Sequence, residues 1–250
     1  MSNSQLAETL TQSLDLTQPP IAVCLLDELP RVVDLWSGPA PAGCRFCQEA
    51  STRVFATAPA DHANCAIGQY THNLAMTPAS EKDLGDALRI FDSLSYVREQ
   101  DIPSIPVLQS RPKYVLYGPL ASVPAAPDVV LLFVKAGQTL ILSEASWQVE
   151  GGMPPAMGRP ACAVVSQAAN SARSALSLGC CGARAYLDVL TDDVAMYALP
   201  GRGLEALVER IAALASANGI LTRFHRIRRS DIESGMSPSV MDSLAALQRD

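Results

Sequence analysis

The chain has no segment suited to export or to membrane insertion. Its opening residues, MSNSQLAETLTQSLDL, carry neither a basic leader nor an apolar stretch, so no signal peptide is expected. The longest apolar run, VVLLFV at 129–134, has the length of a strand and falls well short of the roughly 20 residues that cross a bilayer. Charge is sparse at 18%, and the net charge of −6 gives no broad surface for nucleic acid. No G-x-G-x-x-G follows a strand and no Walker A motif is present. The stretch SEASWQVEGG is not a nucleophile elbow. Repeats and low-complexity segments are missing as well. These absences leave a soluble, cytoplasmic protein that works on a small molecule or with a redox partner, without nucleic acid or membrane. A homo-oligomer is compatible with the sequence.

What the chain does have is seven cysteines: Cys24, Cys44, Cys47, Cys65, Cys162, Cys180 and Cys181. Cytosolic thiols stay reduced and an odd number cannot all pair, so a disulfide framework is not expected. Thiolates select zinc, copper(I) or iron–sulfur clusters. Zinc sites usually show two close ligand pairs, and compact ferredoxins show several C-x-x-C units in a row. Here there is one C-x-x-C, Cys44–Cys47, and any site must be assembled by the fold from separate loops. Cys65 and Cys162 stand at expected helix starts, where free backbone N–H groups favour a thiolate. Cys180 and Cys181 lie in LGCCGAR, whose glycines allow close backbone approach. Cys24, inside IAVCLL, reads as a core residue. For Cys44 and Cys47 a redox dithiol is the competing reading.

Strand and helix signals alternate along the chain. SQLAETLTQSLDL is an amphipathic helix stopped by Pro19 and Pro20, and IAVCLL is a buried strand. A short helix is expected over 46–54, a strand at VFATA, and a helix after Cys65 with Asn64 as its cap. EKDLGDALRIFDSL is helical and DIPSIPV a connection, so 77–112 reads as an excursion from the domain. YVLYGPL, DVVLLFV and VAMYALP are strands, with a helix following DVVLLFV and another in ACAVVSQAANSA. GLEALVERIAALASANG is a helix closed by Gly219, and a short helix ends the chain. The expected fold is α/β or α+β, a single domain (1–250) with a mixed β-sheet flanked by helices.

Several segments together, FCQEA, TAPADHANC, PDVVLLFVKAGQ, GRPACA and LGCCGARAYLDVLTDDVAMYALPG, resemble domain-of-unknown-function family 169 over nearly the whole chain. The resemblance implies a stand-alone bacterial or archaeal protein with a shared set of four cysteines, and it implies no activity. The matched positions are Cys47, Cys65, Cys162 and Cys180, followed by Arg184, with Asp61 and His62 ahead of Cys65. Cys24, Cys44 and Cys181 fall outside that pattern, and Cys181 stands where the family more often has serine.

The expectation is therefore one iron–sulfur cluster, of the four-iron type, on Cys47, Cys65, Cys162 and Cys180, with Cys44 and Cys181 as alternates. It would serve Lewis-acid chemistry (a lyase or desulfidase) or redox chemistry (an oxidoreductase). The alternatives are a zinc-thiolate structural or regulatory protein and a metal-free thiol-redox protein using Cys44 and Cys47. His62 could donate a proton or ligate, with Asp61 beside it, and Arg159, Arg173 and Arg184 could meet negative charge. Polar-turn and surface roles compete for each of these. Glu144 and Trp147 could line a pocket at a strand end. The basic group Arg223, His225, Arg226, Arg228 and Arg229 reads as a solvated end, or else as an anion site.

Overall fold

The computed structural model describes residues 1–154, 156–157 and 160–247. Its centre is strand β4 (Val129–Val134), in which all six residues are buried. Val129, Leu131 and Phe133 join one hydrophobic core, and Val130, Leu132 and Val134 join another. An apolar run buried on both sides is what a central strand with helices on each face requires. Strands β1 (Ile21–Leu26), β2 (Phe55–Thr57), β3 (Tyr114–Pro119), β5 (Ala156–Met157), β6 (Ala175–Ser177) and β7 (Ala195–Pro200) complete a seven-stranded sheet of order β2-β3-β1-β4-β7-β6-β5. Six strands pair antiparallel, and β5 adds to β6 in parallel. The sheet is thus mixed, as expected.

Three longer helices cover one face. They are α1 (Asn3–Leu14), α5 (Ala136–Glu150) and α8 (Leu204–Glu233). Leu6, Leu10 and Leu14 of α1, Ile141 and Leu142 of α5, and Leu207, Val208 and Ile211 of α8 close this core. The capping box on Ser2 and Gln5 fixes the start of α1. The other face carries short helices: α2 (Arg45–Glu49), α3 (Ala66–Thr71), α6 (Ala163–Ser171) and α7 (Cys181–Tyr186). Phe46, Val164, Val165 and Ala168 pack there against Tyr117, Leu131 and Met196. Helix α4 (Pro78–Ser93), capped by Thr77, and the 3-10 turn Glu99–Ser104 form a strap outside this layer. Both elements fall within 77–112.

Two expectations need correction, and two elements were unforeseen. Gly219 does not end α8, which runs on to Glu233; nothing lies within 4 Å of the position a Cβ would take there, so the helix passes through it unhindered. Asn64 does not cap α3. That position belongs to Cys65, and the Asn64 amide donates to Ala40 O at 3.0 Å. Finally, β6 and α7, too short to give a periodic signal, were not foreseen.

Candidate functional site

On the short-helix face, the chain enters each helix through a cysteine. Cys44, Cys65, Cys162 and Cys180 are the N-cap residues of α2, α3, α6 and α7. A single cavity of about 400 Å³ is lined by all four, together with Cys181. The four come from segments widely separated in sequence, and the sheet brings them together. Polar bridges hold the arrangement. Gln48 donates to Asp188 Oδ2 at 3.0 Å and accepts from Asp188 N at 2.9 Å, which ties α2 to the chain after α7. Ser166 Oγ donates to Thr71 O at 2.5 Å, which ties α6 to α3.

Cys65 has a tight setting. A Cβ on Gly68 would stand 3.0 Å from its Sγ, and one on Gly43 would stand 3.8 Å from the same sulfur. Thr71 Oγ1 lies 3.4 Å from Cys162 Sγ, and Cys180 Sγ accepts from Ala183 N at 3.4 Å. Burial pushes the Cys44 thiol up, and the neighbouring Cys47, Cys65 and Cys180 add to this. Burial likewise pushes Cys162 up, reinforced by Cys65. Both are neutral thiols at ordinary pH, so any metal they take must displace their protons.

Cys47 is placed differently. It is 4% exposed, sits in the core beside Phe46, and does not line the cavity. Burial first, then Cys162, lifts its thiol to about 12. Cys24 is a core residue, as expected; it packs with Val33, Ala56 and Leu116, and burial lifts it to about 12.

His62 is buried against Phe46, with ring centroids 4.8 Å apart. Its Nε2 lies 2.9 Å from Thr57 Oγ1, and its Nδ1 has no hydrogen-bond partner among the described residues. A Cβ on Gly43 would stand 3.2 Å from that Nδ1, which places the ring on the Cys65 side of the site. Burial, helped by His72, lowers its pKa to about 3. His72 is also buried and has its Nδ1 3.1 Å from Gly68 O; burial lowers it to about 4.

The other named residues have local partners. Asp61 accepts from Ala58 N at 2.7 Å and closes a 3-10 turn. The Arg184 guanidinium donates to the carbonyls of Leu178, Leu190 and Thr191, pairs with Asp192, and packs on Gly179. Gly179 has φ +91, a conformation that favours glycine. Arg173 packs near Gly152, and Arg159 lies outside the described residues. Glu144 and Trp147 stand on α5, across the sheet from the cavity, with Trp147 55% exposed. Of the basic group, Arg228 donates to Pro238 O at 2.8 Å and Arg229 pairs with Glu233.

A family model described as DUF169 (uncharacterised ArCR) matches residues 9–210. The chain belongs to DUF169. That match contains all seven cysteines and the whole cavity, and it ends within α8. No curated protein and no solved structure matches this DUF169 chain. No helix among its described residues is long and apolar enough to cross a membrane.

The cavity suits a thiolate-held group in donor type and in number, with Cys44, Cys65, Cys162 and Cys180 among its lining residues and His62 Nδ1 nearby. Among the described residues, no three His, Cys, Asp or Glu side chains are gathered tightly enough to hold a single ion. A polynuclear cluster asks less of them, because its ligands bind different metal atoms.

Proposed function

We propose that this cavity holds an iron–sulfur cluster and offers it to a small molecule. The observation that carries the proposal is the convergence of four thiols, each from a separate segment, on one cavity. Cys65, Cys162 and Cys180 are three of the ligands. Sequence reasoning put Cys47 in the fourth place, but Cys44 faces the cavity and Cys47 does not, so Cys44 is the better fourth ligand. Cys181, exposed at the cavity edge, is the alternate.

When bound, such a cluster supplies either an electron or an iron with an open position that acts as a Lewis acid. The chain's own groups do the rest. The Thr71 hydroxyl and the Ala183 N–H support the Cys162 and Cys180 sulfurs. The mostly apolar lining lowers the local polarity, which strengthens electrostatic interactions inside. His62 Nδ1 is a buried acceptor or donor on the Cys65 side of the site, behind the cavity lining. Four protein ligands favour electron transfer, as in an oxidoreductase. Three favour lyase or desulfidase chemistry.

Anaerobic purification followed by iron, sulfide and zinc analysis tests the proposal. The expected result is a coloured protein with about four irons and four sulfides per chain. Cys65→Ser, Cys162→Ser and Cys180→Ser should each lower the iron content sharply, Cys44→Ser more than Cys47→Ser, and Cys24→Ala not at all. A colourless protein with one zinc per chain would replace this proposal with the zinc-thiolate reading. A metal-free protein with a reversible Cys44–Cys47 couple would replace it with the dithiol reading, against which the raised pKa of both thiols already counts.

A further inference from the structure

The outer wall of the cavity is the strap. Leu84, Ala87, Leu88 and Phe91 recur at the spacing of one helix face, and all four line the cavity. None of them is fully buried, so α4 turns its apolar stripe toward open space and not into a core. The strap is nevertheless fastened at its far end. The Tyr96 hydroxyl accepts from Cys181 N at 3.3 Å. Further on, Asn170 of α6 donates to Val107 O at 2.8 Å and accepts from Gln109 N at 2.9 Å.

The lining has a definite chemistry. Tyr70, Phe91, Tyr96 and Tyr186 all contribute to it, in a chain with only 5% aromatic residues. Among the described residues no lysine, arginine or histidine lines the cavity, and the one carboxylate among them, Asp83, is exposed. From the described side chains an anion would receive no counter-charge, and it would meet Asp83. Aromatic faces reward a planar partner through stacking. The volume equals that of about a dozen waters at roughly 30 Å³ each.

We propose that the cavity binds a neutral, ring-bearing small molecule, which completes the core of α4 and lies between its apolar stripe and the thiol wall. The proposal rests on reading the thiol cavity as the working site, and it names what that site takes. Binding does not itself require iron.

Fluorescence titration of the full chain with neutral naphthol, and with naphthalenesulfonate and naphthyl-trimethylammonium as charged analogues, tests it. Naphthol should bind at one per chain and at least about tenfold more tightly than either charged analogue. Ala87→Trp, which fills the cavity, should weaken naphthol about tenfold or more, whereas Ile90→Trp on the outward face should leave it unchanged. Leu88→Asn, close in size but polar, should also weaken it, so the test survives a poorly folded Ala87→Trp. Equal or tighter binding of a charged analogue would overturn the proposal, as would naphthol binding that neither cavity variant weakens. Iron measured on the same samples separates the two claims. Naphthol binding to iron-free protein leaves this proposal standing while the cluster reading fails, and iron-loaded protein that ignores naphthol does the reverse.

Discussion

The two faces of the sheet are built on different principles. On the α1–α5–α8 face, long helices lay continuous apolar stripes on the strands, and the core they form contains no cysteine, histidine or cavity-lining residue. On the other face, short helices are entered through cysteines, two histidines are buried, and a cavity remains. The first face is the scaffold. The second also has a buried core, around Phe46, Phe55 and Tyr117, but leaves a cavity among its short helices. The difference teaches that stability and the site can be perturbed separately, and that claim can be broken.

Phe46→Ala should be the most damaging change on the site face. Phe46 is fully buried and touches the rings of Trp36, Phe55, His62 and Tyr117, so its loss should cost about 4 kcal/mol and disturb metal loading with it. On the scaffold face, Leu142→Ala should cost about 3 kcal/mol in urea unfolding with iron content per folded chain unchanged. If Leu142→Ala emptied the site, the separation of the faces would fail.

Acid should act through the site face. His62 and His72 titrate at about 3 and about 4 when folded, against 6.5 ordinarily. The unfolded chain therefore takes up protons, as the pH falls below 6.5, that the folded chain refuses. Their contribution is fully present above that pH and is lost as the pH falls toward 4, by an amount on the order of a few kcal/mol. Urea unfolding across that range should show the decline, and His72→Gln should make it shallower. The smallest effect belongs to the outer half of α8. Gly219→Ala should stabilise the protein by up to about 1 kcal/mol, seen as a raised Tm, with no change in iron.

The longer elements were legible in the sequence because their signals are local. IAVCLL and VVLLFV are uniform apolar runs, and the leucines of α1 recur at helical spacing. The outer half of α8 was hidden by Gly219, whose usual role as a terminator is overridden inside a long exposed helix. The convergence of thiols was legible as a residue type and not as a place. Nothing in the spacing of Cys44 and Cys47 reveals that one turns to the cavity and the other into the core. That choice is made by a turn and a half of helix, whose start at Cys44 depends on tertiary packing. Asp61 and Arg184 read as chemistry because of their neighbours in sequence, but backbone groups take up both. The lining by α4 left no sequence signal beyond its amphipathic stripe, which does not say what it faces.

The dispersal of Cys44, Cys65, Cys162 and Cys180 also has a consequence for biosynthesis. A ferredoxin-like string of cysteines can capture its metal as soon as a short stretch has been made. Here Cys180, the last of the four thiols, is made long after Cys44, and β7, which pairs with central β4, follows it. The proposed cluster could therefore form only once the sheet has brought distant segments together, and an iron donor would then reach the thiols past the strap formed by α4.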